Sequence, residues 1–364
     1  MELSPSHPHW HDWRWQLRNA CRSAEELEQV LQLSDDERAG LRLATAGGLP
    51  LTITPYWLNL LRREGPGGPL RRQLVPSAQE WQPSAGERDD PLGEEELLAA
   101  PSLVHRYPDR ALLWVTDRCA SYCRFCTRKR LVGQGPTPTE NDVSEGIGYI
   151  ARHEGIREVI LSGGDALVLD DDKLAALIGR LRGIPHLDII RIATRLPSFA
   201  PMRITTQLLH ELKAFHPVYF LVHFNHPAEL TTESAAALNR LADHGFPVMN
   251  QTVLLKGIND DVATLERLFR GLVRLRCRPY YLHQCDAITG ANHFRTTLEE
   301  GMALMDGLRG RVSGLALPTY VLDVPGGKGK VPLARDPRLD KLTSDGLVQI
   351  RGSLGGVSSY PERA

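Results

Sequence analysis

The sequence predicts an α/β protein with a partial (β/α)6 barrel of the TIM type, a helical N-terminal region and a small C-terminal extension. Two observations support this fold. From residue 111 onwards, short apolar runs rich in β-branched residues alternate with amphipathic helical segments at an interval of about 30 residues, the length of one βα unit. Cysteines and polar residues follow the ends of these runs, where parallel barrels place their chemistry. A doubly wound open sheet is the alternative that the pattern leaves open.

The N-terminal region, residues 1–100, is predicted to be helical with a polar linker. Two capping-box patterns, Ser23–Glu26 and Ser34–Glu37, each open a helical stretch. Residues 82–98 are rich in proline, glycine and charge, so we expect this linker to be a solvated loop.

Residues 101–297 are predicted to form the barrel, and residues 298–364 the extension. The six barrel strands are expected at 111–117, 158–162, 189–193, 218–222, 247–255 and 279–283. Six successive βα units imply a parallel sheet with right-handed crossovers. The extension is expected to contain a helix at 298–308, a strand at 319–323, a glycine-rich turn at 325–330 and a hairpin with 346–351 as one arm.

The composition is that of an ordinary globular protein, with 42% hydrophobic and 24% charged residues in a chain of 364. A net charge of −1 provides no field for nucleic acid or an anionic membrane, so neither is expected as a partner. There is no apolar run long enough for a transmembrane helix and no secretory signal. The six cysteines do not resemble a disulfide framework, and we expect a cytoplasmic protein.

Three cysteines, Cys119, Cys123 and Cys126, follow the first predicted strand at the spacing C-x3-C-x2-C. Three thiolates can hold three corners of a cubane iron–sulfur cluster. The fourth iron is then open to a small molecule, an arrangement suited to chemistry rather than to electron storage. The alternative is a set of three buried thiols on a loop.

Other candidate residues are weak signals when taken singly. The glycine pair in Ser162–Asp165 lets backbone approach a ligand, but a tight βα turn explains it equally well. Lys330 could bind pyridoxal phosphate as a Schiff base, and Lys328 is its rival on chemistry alone. The remaining candidates are charged: Arg106 and Arg110 for a phosphate, Arg128 for a carboxylate, and Asp286 and Asp323 for an ammonium group.

Taken together, these motifs resemble the radical S-adenosylmethionine enzymes and, among them, the lysine 2,3-aminomutases. The likeness covers residues 10 to 335 approximately. It is carried by Trp13–Arg18, His105–Arg110, Cys119–Cys126, Cys126–Arg130, Ser162–Asp165, His223–Pro227, Asn250–Gln251, Pro279–Tyr281, Gln284–Asp286, His293–Arg295 and Asp323–Lys330.

The resemblance implies three cofactors and a role for each candidate residue. A 4Fe-4S cluster would be ligated by Cys119, Cys123 and Cys126. S-adenosyl-L-methionine would sit on the open iron, and its contacts would be Ser162, Gly163, Gly164, Asp165, His223 and Gln251. Pyridoxal 5′-phosphate would be carried by Lys330 and held, chiefly by its phosphate, by Arg106, Tyr107 and Arg110. The substrate carboxylate would bind Arg128, and its ε-ammonium group would bind Asp286 and Asp323.

The implied activity is that of an isomerase. The amino group of L-lysine would move from C2 to C3 to give β-lysine, through an aldimine of pyridoxal phosphate and a 5′-deoxyadenosyl radical. The implied partners are the amino-acid substrate, an external electron donor such as flavodoxin or ferredoxin, and further copies of the chain in a homo-oligomer, a dimer or a tetramer.

The sequence departs from the family pattern in two places. Lys328 interrupts the glycine run before Lys330, but Lys330 keeps the family's spacing from Asp323 and precedes Val331. No cysteine follows Cys285, so we expect the family's zinc site between subunits to be absent. Four alternatives stay open: an arginine mutase, a glutamate mutase, an enzyme acting on a lysyl residue of elongation factor P, and an inactive iron–sulfur redox or structural protein.

Overall fold

The computed structural model of the protein describes residues 5–334, 339–342, 347–351 and 357–361. Within these residues ten strands form one sheet in the order β1 to β10, so each strand neighbours the strands before and after it in the chain. They are β1 Leu98–Ala100, β2 Leu103–Tyr107, β3 Arg110–Thr116, β4 Glu158–Gly163, β5 Ile189–Thr194, β6 Val218–Val222, β7 Val248–Leu254, β8 Arg278–Gln284, β9 Thr319–Asp323 and β10 Lys330–Pro332.

The centre of this sheet is parallel. β3 to β9 pair in parallel, whereas β1 to β3 and β9 to β10 pair in antiparallel fashion. The six predicted strands are β3 to β8, each within one residue of its predicted ends. The strand order never reverses, as it would in a doubly wound sheet. The predicted partial (β/α)6 barrel is therefore confirmed, and β9, which was expected in the extension, adds a seventh parallel strand to it.

Helices fill the crossovers between the parallel strands, and shorter helices lie in the N-terminal region. They are α1 Trp13–Arg18, α2 Ala24–Glu28, α3 Asp35–Ala46, α4 Pro55–Leu61, α5 Arg71–Leu74, α6 Glu140–Arg152, α7 Asp171–Arg182, α8 Leu196–Phe199, α9 Thr206–Lys213, α10 Thr232–Asp243, α11 Val262–Arg274 and α12 Leu298–Leu308. α6 shows how the sequence specifies them. Thr139 caps its N-terminus, and Val143, Ile147 and Ile150 bury one face at helical spacing.

The two predicted capping boxes begin helices as expected, but only one is complete. Ser34 and Glu37 cap each other's backbone at the start of α3. Ser23 accepts the backbone N–H of Glu26 at the start of α2. The Glu26 side chain instead accepts the backbone N–H of Arg22 at 2.7 Å.

One apolar core joins the N-terminal helices to the barrel. Trp57 of α4 is fully buried, and its indole N–H donates to the carbonyl oxygen of Ser198 at 2.7 Å. The hydroxyl of Thr54 donates to the carbonyl oxygen of Phe199 at 2.6 Å. These bonds satisfy backbone carbonyls of α8, the helix that follows β5, so the N-terminal helices pack against the barrel.

The C-terminal part of the extension is a second, antiparallel sheet in the order β11 Leu339–Leu342, β12 Leu347–Arg351 and β13 Val357–Pro361. β12 is the predicted hairpin arm, except for residue 346, which lies outside the described residues. Within the described parts of the chain, none of the helices has the length and apolarity that crossing a bilayer requires.

Candidate active site

The barrel brings most of the predicted site residues to the carboxyl ends of its strands, where parallel barrels build their sites. The cysteine loop follows β3, and His223 follows β6. Ser162 and Gly163 end β4, and Asp323 ends β9. Gln251, in contrast, lies in the middle of β7.

The cysteine loop carries three free thiols, Cys119, Cys123 and Cys126. Burial and the charge of Cys123 raise the pKa of Cys126 to about 11. Burial and the charge of Asp165 raise the pKa of Cys119 well above its usual value. No three His, Cys, Asp or Glu side chains of the described residues converge on a single ion. In a cubane cluster each thiolate ligates a different iron, so such convergence is not required. A cationic cluster that stabilises all three thiolates fits this loop.

The glycine pair is required by the close approach of β4 to the cysteine loop. Gly163 has a φ of 108°, and a Cβ on it would lie 2.6 Å from the carbonyl oxygen of Thr116. A Cβ on Gly164 would overlap the backbone of Arg118. A side chain at either position would displace the loop that carries the cysteines. The predicted contact of these glycines with S-adenosylmethionine stays a prediction.

Asp165, the last residue of that motif, ties β4 to the following strand. Its Oδ1 accepts the backbone N–H of Leu167 at 3.0 Å. Its Oδ2 accepts the Thr194 hydroxyl at 3.0 Å and the backbone N–H of Arg195 at 2.7 Å. Burial raises the pKa of Asp165, and these bonds oppose the rise. In the structure this carboxylate thus binds groups of the protein itself. Its predicted contact with S-adenosylmethionine stays a prediction.

His223 lies beside the cysteine loop, with its ring 5.9 Å from that of Phe125 between centroids. Its Nε2 is 2.9 Å from Oδ1 of Asn225. Since the amide nitrogen of Asn225 donates to Gln73, Oδ1 is the acceptor and Nε2 carries the hydrogen. Burial and the charge of Arg195 lower the pKa of His223 well below its usual value. The ring is therefore neutral, with Nδ1 as its available acceptor.

A cavity of about 310 Å³ collects the other predicted residues around Lys330. Those lining it are Arg106, Tyr107, Arg110, Arg128, Gln251, Asp323 and Lys330. Its wall also includes four polar residues to which the sequence analysis gave no role: Glu94, Arg191, Tyr280 and Tyr281.

The pairing of β9 with β10 places Lys330 directly opposite Asp323. The Lys330 ammonium group lies 2.9 Å from Oδ1 and 2.8 Å from Oδ2 of Asp323. The backbone N–H of Lys330 donates to the Tyr107 hydroxyl at 2.9 Å. Lys328, in contrast, is exposed on the preceding turn. Of the two rival lysines, Lys330 is the one that lines the cavity.

Arginines form one wall of this cavity. Arg106 donates to Asp323 at 3.2 Å, and the guanidinium carbon of Arg110 lies 3.7 Å from the centre of the Tyr107 ring. Burial, opposed in part by Tyr280, lowers the pKa of Arg191, and the nearby charge of Arg110 lowers it further. Several guanidinium groups lining one cavity favour a bound anion. A lysine amine and a cationic wall together fit pyridoxal phosphate, an aldehyde that carries a phosphate group.

Asp286 and Asp323 line an adjoining cavity of about 510 Å³. Burial and the charge of Asp323 raise the pKa of Asp286 to about 7. The pKa of Asp323 is well below its usual range, although burial alone would raise it, because His283 and Lys330 stabilise its charge. Asp286 is thus a half-buried carboxyl group that forms no ion pair within the described part of the chain.

Arg128 is already held by a carboxylate that the sequence analysis placed in a solvated loop. Its Nε and Nη2 donate to Glu94 at 3.0 Å and 2.7 Å, and its Nη1 donates to the Ser162 hydroxyl at 3.0 Å. The Glu94 side chain is only 3% exposed. The expectation of a solvated linker over residues 82–98 is therefore wrong at Glu94, because the polar composition of that linker reflects internal pairing as well as contact with water.

Similarity to known proteins agrees with this geometry. The sequence matches the Radical SAM superfamily over residues 114–268 and the Lysine-2,3-aminomutase family over residues 305–364. An L-lysine 2,3-aminomutase of Fusobacterium nucleatum is 45% identical over 354 residues, which cover 97% of this chain and 83% of that protein. One of Clostridium subterminale is 44% identical over 97% of this chain and 84% of its own. A glutamate 2,3-aminomutase of Clostridioides difficile is 39% identical over 91% of this chain and 78% of its own.

This family implies a 4Fe-4S cluster, S-adenosylmethionine and pyridoxal phosphate, the groups that the cysteine loop and the Lys330 cavity fit. The similarity extends over nearly the whole chain and over most of each relative. The chain therefore belongs to the lysine 2,3-aminomutase family and is a 2,3-aminomutase of the radical SAM type.

Proposed function

We propose that the protein moves the amino group of free L-lysine from C2 to C3, giving β-lysine. The observation that carries the choice of lysine is a pair of carboxylates in one cavity, the buried Asp323, which pairs with Lys330, and the half-buried Asp286. Such carboxylates need cationic charge nearby, because an unpaired charge in a low-dielectric cavity is costly. A substrate with an ammonium group at the end of its side chain supplies that charge.

Use of Lys330 to hold the cofactor strengthens this argument. The Lys330 ammonium group is an ion partner of Asp323, together with Arg106. When the Lys330 nitrogen bonds to the aldehyde carbon of pyridoxal phosphate, Asp323 loses part of that compensation. Asp286 forms no ion pair among the described residues, and the charges of Lys330 and Arg106 only partly offset the rise in its pKa. The side-chain ammonium group of lysine, placed between the two carboxylates, restores the balance.

The other residues are proposed to hold and orient the reacting groups. Pyridoxal phosphate supplies the conjugated system on which the nitrogen migrates, and the cluster with S-adenosylmethionine supplies the radical that removes a hydrogen from C3. Arg106, Tyr107 and Arg110 hold the phosphate-bearing cofactor. Arg128 binds the substrate carboxylate, and its contact with Ser162 connects that end of the substrate to the end of β4. Orientation and exclusion of water are the contributions of the protein.

The remaining proposed contacts lie near the cysteine loop or in the cavity. Cys119, Cys123 and Cys126 ligate the cluster, while Ser162, Gly163, Gly164, Asp165, His223 and Gln251 contact S-adenosylmethionine. An external one-electron donor, such as flavodoxin or ferredoxin, and assembly into a homo-oligomer remain expectations from the family.

Chemistry distinguishes the proposed use of free L-lysine from three other substrates and from an inactive role. Glutamate would place a third carboxylate against Asp286 and Asp323, which like-charge repulsion disfavours. Arginine carries a cation but needs more room. A lysyl residue of elongation factor P would have to bring its polypeptide to the cavity. An inactive iron–sulfur protein would have no use for the Lys330 cavity.

The test is an anaerobic assay of the reconstituted protein with reductant and S-adenosylmethionine, in which β-amino acids and 5′-deoxyadenosine are measured. We expect kcat/KM for lysine to exceed that for glutamate by at least ~100-fold, since a buried unpaired charge costs several kcal/mol. We expect kcat/KM for arginine to be lower than that for lysine because arginine needs more room. Turnover of glutamate but not lysine would overturn the substrate assignment. A lack of both pyridoxal absorbance and deoxyadenosine with every amino acid would identify the inactive protein.

The pH dependence of lysine use provides a separate prediction about Asp286. Its pKa of about 7 means that the carboxyl group is largely protonated at lower pH and ionised at higher pH. Only the ionised form attracts an ammonium group, so kcat/KM for lysine should rise about tenfold between about pH 6 and pH 8. Asp286→Asn should lower kcat/KM and abolish this rise. The same rise in Asp286→Asn would assign it to another group.

A further inference from the structure

Arg195 is a buried cation that the proposed reaction does not use. It follows β5 and is 6% exposed. Its Nη1 donates to Sγ of Cys123 at 2.9 Å. Its Nη2 donates to Oε1 of Gln73 and lies 3.4 Å from the carboxylate of Glu229. The guanidinium carbon lies 4.4 Å from the centre of the Phe199 ring. Contacts on several sides thus hold this guanidinium group against a cysteine of the loop.

The counter-charge of Arg195 is held just as firmly. The Glu229 side chain is fully buried. It accepts the Ser198 hydroxyl at 2.8 Å and the backbone N–H groups of Asn225 and His226 at 3.0 Å and 3.1 Å. These donors hold Glu229 at Nη2 of Arg195, whereas Nη1 makes the contact with Cys123. The sulfur is therefore contacted by the cationic member of the pair.

Such an arrangement affects how readily a cluster bound to the cysteine loop accepts an electron. A hydrogen bond to a ligating sulfur and a nearby positive charge both stabilise the reduced state of an iron–sulfur cluster. Because Arg195 and Glu229 are buried, solvent screens their charges only weakly. Arg195 is closer to Cys123 than Glu229 is, so the net effect is that of a cation.

We propose that Arg195, positioned by Glu229 and Gln73, hydrogen-bonds the cluster ligand Cys123 and raises the reduction potential of the 4Fe-4S cluster. The oxidised cluster takes up one electron from an external low-potential donor, and Arg195 makes that uptake more favourable. The inference depends on the cluster that the family implies and not on lysine as the substrate. A potential measured without any amino acid therefore tests it separately from the proposed function.

The experiment is a redox titration of the reconstituted protein, without substrate, in which the reduced cluster is measured by electron paramagnetic resonance. Arg195→Gln removes the charge, Arg195→Lys keeps the charge but not the planar fork, and Glu229→Gln removes the counter-charge. Arg203→Gln is the matched control. Arg203 is also fully buried, but it donates to the carbonyl oxygen of Leu167 and pairs with Asp171 rather than with a cysteine.

We expect Arg195→Gln to lower the ratio of reduced to oxidised cluster at a given potential at least tenfold, a shift of ~59 mV for one electron. Arg195→Lys should lower the reduction potential by a smaller amount, and Glu229→Gln should raise it. Arg203→Gln should leave it unchanged. If Arg195→Gln fails to retain iron, Glu229→Gln decides alone: a higher potential supports the proposal and an equal or lower one overturns it. Equal reduction potentials in Arg195→Gln and in the unaltered protein would also overturn the proposal.

Discussion

Replacement of Lys330 by alanine is expected to abolish aminomutase activity, with kcat at least ~1000-fold lower, the scale on which an essential member of a catalytic set acts. The Lys330 amine lies in the cavity opposite Asp323, beside the arginines that can take a phosphate. Without this amine the aldehyde of pyridoxal phosphate has no nitrogen to bond. The measurement is the Schiff-base absorbance of the protein with added pyridoxal phosphate, followed by turnover. The variant should retain its cluster, because Lys330 does not contact the cysteine loop in the described structure.

Lys328→Ala is the matched control for this prediction. It removes an identical side chain only two residues away, but one that is exposed on the turn and does not line the cavity. Absorbance and turnover should stay close to those of the unaltered protein. Loss of the Schiff-base absorbance in Lys328→Ala, with its retention in Lys330→Ala, would reverse the assignment of the cofactor lysine.

The barrel was predictable because its signals are local. Each of the strands β3 to β8 is a short run of β-branched and apolar residues, and each helix between them has an apolar stripe at helical spacing. The residues at the strand ends could then be assigned to one end of the barrel by topology alone. β9 was predicted as a strand, but its parallel pairing with β8 was not, because a single short strand carries no information about its neighbour.

The residues that sequence reasoning missed are charged groups whose partners lie far away in the chain. Glu94 pairs with Arg128 across 34 residues, and Arg195 contacts Cys123 across 72. A glutamate in a polar linker has the same local sequence whether it faces water or a buried arginine. Burial of such a group is decided by the packing of other elements. The one available signal was the position of Arg195 directly after a predicted strand. A charged residue there either takes part in function or pairs with another charge.

Arg191 illustrates the same limit within a strand. β5 alternates buried and half-buried residues, and Arg191 occupies a half-buried position of that pattern. From sequence alone this is an ordinary outward-facing charge. In the structure it lines the Lys330 cavity together with Arg110 and pairs with Glu158. The face of the sheet to which a strand side chain points can be predicted from the two-residue period of the strand. The groups that lie on that face cannot be predicted in this way.

The pair of Arg128 and Glu94 allows binding to be separated from stability. Arg128→Gln should raise KM for lysine strongly and lower kcat/KM by ~100-fold or more, because the proposed charge-assisted contact with the substrate carboxylate is lost. The same change leaves the buried Glu94 with only Arg130, at 3.8 Å, as an ion partner, which costs about 3 kcal/mol of folding free energy. A lower melting temperature would therefore accompany the lost activity, and the single variant cannot distinguish the two effects.

The double variant Glu94→Gln with Arg128→Gln separates the loss of substrate binding from the loss of stability. Two neutral side chains of similar size remove the unpaired buried charge, and replacing both partners of a buried pair is often close to neutral for stability. We therefore expect the melting temperature to recover while KM for lysine stays high. Glu94→Gln alone should raise KM less, since Arg128 is present but loses the carboxylate that orients it. If the double variant instead regained kcat/KM together with its melting temperature, Arg128 would be a structural partner of Glu94, and the substrate carboxylate would have to bind elsewhere in the cavity.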